Sequence, residues 1–198
     1  MLTKTSLLLT FLSLCALAAA KPLDVFFGTG GRGAEGIYHA TFNPDNGKFS
    51  PAKLAAEIGS PGFLAHHPDG KKIYAVARWD KLAGAVGYNV LPGGELKEFT
   101  RMACPDGGGA HIAVHPSGKF LLTAQYGGGS VALFPLDSSG KLGEPTVSEH
   151  EGGSKVVERR QESPHPHWCG FSPDGKFALV PDLGLDQIVI YKVDEKKP

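Results

Sequence analysis

Three stretches of this chain repeat one another, and an internal repeat narrows the possible folds more than any bulk property does. They read SPGFLAHHPDGKKIYAVARWD (residues 60–80), GGAHIAVHPSGKFLLTAQYGGG (108–129) and PHPHWCGFSPDGKFALVPDLG (164–184). Each sets a P-x-G-K turn between two short runs of aliphatic and aromatic residues. Proline presets φ at the first turn position and glycine accepts a positive φ, so each stretch predicts a β-hairpin. In the last of them the expected strands are 168–171 and 177–180. The turn prolines Pro68, Pro116 and Pro173 stand 48 and 57 residues apart.

A third apolar run follows every hairpin: AVGYNVLPGGEL (85–96), SVALFPLDSSGKL (130–142) and QIVIYKVDEKK (187–197). GIYHATFNPDNGKF (36–49) matches this third element, preceded only by the short start DVFFGTG (24–30). A more variable fourth strand is expected over 53–58, 99–103 and 146–150. With 27 glycines, 15 prolines and no long amphipathic helix, the pattern is all-β. Four strands per roughly 48 residues is the period of a β-propeller blade.

The first twenty residues carry Lys4, an apolar run from Leu7 and a small-residue end at Ala18, Ala19 and Ala20. That is the layout of a secretory signal, and the protein is expected to be exported, periplasmic or secreted. The run of about 14 residues is short of the roughly 20 that span a membrane, and the bulky Leu14 argues against a lipid anchor at Cys15. The remaining domain, 21–198, holds about three and a half blades, whereas closed propellers use four to eight. A piece of a longer reading frame is the simplest expectation. A dimer of half-rings or a small open stack are the alternatives.

Twenty basic and 20 acidic residues cancel, which leaves no electrostatic footprint for nucleic acid or an anionic membrane. Cys104 and Cys169 lie in an export context that permits a disulfide, but their spacing does not establish one, and two small buried thiols are the simpler expectation. Neither belongs to a CxxC motif.

Because turns and hairpin mouths lie at opposite ends of a blade, the repeat also sorts the polar residues. Arg78, His111, Tyr126, His165, His167 and Asp182 fall at the mouth, whereas His67 and His115 abut the turns. His111 lies five residues before its turn proline and His167 six, so strict alternation aims them at opposite faces unless a bulge intervenes. Asp182 also reads as a cap on its own LGLD loop. The H-x-H pair of His165 and His167 lacks a third metal ligand in sequence, so no metal and no cofactor is expected. The run Gly127–Gly129 lacks a Walker lysine and reads as a turn.

The combination of AHIAVHPSGKFLLTAQYGGGSVALFPLD with RRQESPHPHWCGFSPDGKFALVPDLGLDQIVIY resembles the lactonase-type seven-bladed β-propellers, the propeller-type 6-phosphogluconolactonases. The resemblance spans nearly all of the chain after the leader, and only the N-terminal half of the family's length. It implies hydrolysis of a small sugar-derived lactone at the channel mouth. His111 and His167 match family histidines, and Tyr126 and Asp182 sit in matching motifs. Arg78 occupies a blade-end position where some members carry arginine, but the pair Ala77-Arg78 stands where many carry Asn-Glu, and Gln125 stands where asparagine is usual.

Lactone opening needs an activated water and a group that stabilises the oxyanion. Histidine suits the first and arginine the second or an anionic substituent. His167 is the leading base candidate, followed by His111. Arg78 and Arg160 are candidate anion contacts, with Tyr126, His165 and Asp182 as further substrate contacts. Arg159 and Arg160 read equally as a solvated loop pair. The competing reading is a non-catalytic exported propeller that binds a ligand or a protein.

Overall fold

The computed structural model describes residues 20–31 and 33–194. The leader, with its expected cleavage site, lies outside the described residues, apart from Ala20. Among the described residues there is no helix, and the fifteen strands form four antiparallel sheets. The first sheet contains β1 (Leu23–Phe27), β2 (Gly36–Asn43), β3 (Lys48–Phe49) and β4 (Lys53–Glu57). Here β3 and β4 both pair with β2 and act as one interrupted strand. The second runs β5 (Leu64–His66), β6 (Lys72–Trp79), β7 (Leu82–Val90) and β8 (Leu96–Ala103). The third runs β9 (His111–Val114), β10 (Phe120–Gln125), β11 (Ser130–Pro135) and β12 (Thr146–Glu149). The fourth has β13 (Gly170–Phe171), β14 (Phe177–Asp182) and β15 (Gln187–Lys192).

Within the second and third sheets the strands follow sequence order, each paired to the next, which is the meander of a propeller blade. The turn glycines Gly70, Gly118 and Gly175 have φ of 68°, 71° and 71°, a region open to glycine at little cost. The residue before each glycine braces its turn: Asp69 and Asp174 accept the backbone N–H of Lys71 and Lys176.

The inner strands are buried on both faces, and the seam that each side chain enters alternates with the two-residue period. On β6, Ile73, Ala75 and Ala77 face the first sheet, joining Ile37 and Tyr88. The alternate residues Tyr74 and Val76 face the third, joining Ile112, Leu121 and Phe134. On β10, Leu122 and Ala124 turn to the fourth sheet and meet Cys169, Ala178 and Val180. Every seam between neighbouring sheets is therefore a hydrophobic core. Cys104 lies in the second–third seam and Cys169 in the third–fourth, and both are free thiols.

The last hairpin departs from its expected strands. Its first strand is regular only over Gly170–Phe171, because an extra residue precedes it. Between the Pro166↔Asp182 bridge and the Gly170↔Leu179 pair, one chain advances four residues and the other three. This bulge offsets the one-residue difference between His111 and His167, so both occupy the same level on successive blades.

Candidate active site

The mouth is built from the loops at the ends of β6, β10 and β14, opposite the P-x-G-K turns. Arg78 is the penultimate residue of β6, just before a two-residue hairpin closed by the Trp79↔Leu82 pair. Tyr126 opens the loop between β10 and β11, and Asp182 ends β14. A cavity of about 630 Å³ lies between these loops, walled by Arg78, Asp106, Tyr126, His167 and the glycine runs 107–109 and 127–128. His167 also borders a second hollow of about 440 Å³ against Asp182 and Gln187.

Arg78 is exposed, and among the described residues its guanidinium makes no hydrogen bond or ion pair. It lies against Gly108, where a Cβ would stand 3.3 Å from Nη2. His167 is also exposed. Its backbone N–H binds Pro181 O at 3.2 Å, and its ring meets Tyr126 edge-on at 5.4 Å, with no hydrogen bond to either ring nitrogen among the described residues. A cationic donor and an uncommitted imidazole thus face one open cavity.

The other expected site residues serve as supports. His111 is only 7 % exposed and does not wall the cavity. Phe63 and Trp168 flank its ring, with centroids 4.0 and 5.3 Å away. Its Nδ1 accepts the Cys169 N–H at 3.4 Å. Burial pushes the His111 pKa below 6.5, and the nearby His167 adds to that shift. A neutral ring in contact with the backbone beside His167 suits positioning rather than proton abstraction. Burial also pushes the Cys169 thiol up, which keeps it protonated.

His165 stacks on Tyr126 at 4.7 Å, and its Nδ1 must donate to the Tyr126 carbonyl, 3.0 Å away. It braces the Tyr126 loop instead of lining the cavity. Asp182 corrects the substrate-contact reading more fully, since its carboxylate has no exposed surface. Its Oδ1 accepts the N–H groups of His165, Gly184 and Leu185 at 2.8, 2.9 and 3.1 Å. The second oxygen accepts Nδ1–H of His150 at 2.6 Å. With both oxygens spent, Asp182 caps its own loop. Arg160 stands exposed on the 152–163 loop, away from the cavity walls, with Gln161 pinning that loop through Val157 N–H and Leu183 O. Among the described residues no cluster of three His, Cys, Asp or Glu side chains could hold a metal.

Two polar residues of this region were not singled out by the repeat. His150, at the end of the outermost strand, joins Asp182 to the Tyr191 hydroxyl, 2.7 Å from Nε2. Asp106 enters the cavity from the loop before β9 and accepts the Ser130 hydroxyl through Oδ2. Its available signal is the glycine content on both sides, 107–109 and 127–128, which leaves room for a side chain lying flat on backbone.

A succession of radially stacked antiparallel blades, with polar groups gathered at one rim, defines the β-propeller class. The family model described as Lactonase, 7-bladed beta-propeller matches residues 24–198, and the chain belongs to that family. The 6-phosphogluconolactonase of Bacillus subtilis is 32% identical over 164 residues, covering 82% of this chain and 47% of the relative. A periplasmic gluconolactonase of Pseudomonas aeruginosa superposes with a TM-score of 0.79 at 27% identity, covering 87% of this chain and 50% of that one. A Bacteroides fragilis structure does so with 0.79 at 30% identity, over 87% and 49%. The chain spans about half the length of the curated relatives it matches.

Proposed function

We propose that this protein hydrolyses a sugar-derived lactone in the mouth cavity. The observation that carries the reading is that Arg78 and His167, from different blades, line one cavity, with neither side chain hydrogen-bonded among the described residues, in a chain of the lactonase family. His167 takes a proton from water as the water oxygen bonds to the lactone carbonyl carbon. Arg78 stabilises the oxyanion that forms. Collapse of that intermediate breaks the ring C–O bond, and the imidazolium returns its proton to the departing alkoxide. The product is the open hydroxy acid, and the enzyme ends in its starting state. His111 and His165 hold the 165–169 segment and Tyr126 in place around the reacting group.

Export through the N-terminal leader belongs to the same proposal, resting on the run from Leu7 to Ala20. The test of the catalytic reading is δ-lactone hydrolysis by the purified protein and by His167→Ala. A general base contributes about a hundredfold or more, so the variant should lose at least about tenfold in kcat with its fold intact by circular dichroism. An unchanged rate would remove His167 from the mechanism. Binding of a lactone without any turnover by the wild type would favour the scaffold reading.

A further inference from the structure

Asp106 places a carboxylate in the same cavity as the Arg78 guanidinium. Its Oδ2 is occupied by the Ser130 hydroxyl, whereas Oδ1 has no partner among the described residues and is not among the buried unpaired atoms. That oxygen is therefore accessible to an incoming ligand. The side chain is held flat against the β10–β11 loop: a Cβ added at Gly128 would lie 2.2 to 2.5 Å from the carboxylate atoms. Asp106 is thus fixed from two directions, by the Ser130 hydroxyl and by the floor that Gly128 leaves open.

An acceptor-only oxygen on a rigid support selects hydroxyl donors and repels a second anion. Arg78 alone would make this cavity a site for phosphorylated or carboxylated ligands; with Asp106 present, the two charges offset each other. Resting on the lactonase reading above, we infer that Asp106 determines specificity by accepting hydroxyl hydrogen bonds from an uncharged polyhydroxylated lactone and by rejecting its phosphorylated counterpart. A polar contact of this kind discriminates strongly, because a site group left unpaired or facing a like charge loses its hydration without recompense.

The experiment compares glucono-δ-lactone with 6-phosphoglucono-δ-lactone as substrates of the wild type, Asp106→Asn and Gly128→Ala. It also measures binding of the inert gluconolactam by calorimetry. Wild type should favour the uncharged lactone by at least about tenfold in kcat/KM. Asp106→Asn should lose about tenfold or more on that substrate, with no loss on the phosphorylated one. Gly128→Ala, which displaces the carboxylate while leaving it charged, should lose on the uncharged lactone too. Equal losses on both substrates, no loss on either, or a wild-type preference for the phosphorylated lactone would each overturn the assignment. If the wild type turns over neither lactone but binds the lactam, with about tenfold weakening in Asp106→Asn, the binding role of Asp106 stands and the hydrolytic reading falls. No lactam binding by the wild type would overturn both.

Discussion

The His115 imidazole crosses the seam between the third and fourth sheets and donates Nε2–H to the Gly175 carbonyl, 2.8 Å away. Its Nδ1 accepts the Ser117 N–H at 3.1 Å, which fixes the tautomer. The same clasp joins the second and third sheets, where His67 Nε2 lies 3.2 Å from Gly118 O. In both cases a histidine just before the turn proline reaches the turn glycine of the next blade. Three constraints coincide at Gly175: the positive φ, the carbonyl acceptor, and an imidazole 2.6 Å from where a Cβ would stand. Sequence pattern and blade stacking are thus linked at one atom pair in each of these two seams.

The clasps should differ in strength. His115 is 1 % exposed, and its removal leaves a carbonyl unpaired beside a cavity. His115→Ala should lower the unfolding free energy by about 2–4 kcal/mol. His67 has a longer bond and a more exposed ring, so His67→Ala should cost about 1 kcal/mol. Urea denaturation of the two variants measures both, and equal losses would show that the clasp geometry does not set the seam's strength.

Asp182 supports the mouth from beneath. Replacing it with alanine leaves three backbone N–H groups and the His150 Nδ1–H without their acceptor, around a carboxylate position that has no exposed surface. Asp182→Ala should destabilise by about 3–5 kcal/mol. It should also loosen the His165–His167 segment, which the carboxylate holds through the His165 N–H. Amide hydrogen exchange of residues 165–169 and 183–185 should rise in the variant under conditions where the rest of the fourth sheet stays protected. Uniform loss of protection would instead make Asp182 a part of the general fold rather than of the mouth.

The contrast between these two sites shows what the chain discloses before folding. The turns were legible because Pro68, Pro116 and Pro173 recur with a glycine at a fixed offset, and local geometry alone demands that glycine. The strands were legible because apolar runs flank each turn at similar offsets, and in β6 and β10 such runs are buried on both faces. The mouth was legible only as a level along the strands. Alternation could place His111 and His167 relative to their turns, but the extra residue between Pro166 and Gly170 decides which way they face, and no residue type marks it. Asp106 and His150 were missed because they reach the site from a loop and from an outermost strand, outside the repeated hairpin. Burial then separated His111 and Asp182 from Arg78 and His167, which strand position had grouped together.

Buried neutral, His111 makes stability depend on pH in a definite direction. In the unfolded chain it titrates near 6.5, whereas burial holds the folded pKa lower. Above about pH 7 both states are neutral at this position and it contributes no pH dependence. As the pH falls below 6.5 the unfolded chain takes up a proton that the folded one does not, and stability declines until the folded pKa is passed. Asp69 does not interfere over this range. Although its partial burial opposes ionisation, hydrogen bonds from Lys72, Lys71 and His67 hold its pKa at about 2. Its stabilisation is present above the unfolded value of 3.8 and is lost only as the pH falls from there through about 2. Unfolding free energies of wild type and His111→Gln, measured from pH 8 to pH 5, isolate the first effect. Glutamine can still accept the Cys169 N–H but does not titrate. The wild type should therefore lose stability relative to the variant as the pH drops below 6.5, with a constant difference above pH 7. A relative gain for the wild type in acid would mean that the folded protein favours the imidazolium, and would place His111 in contact with an anion rather than between Phe63 and Trp168.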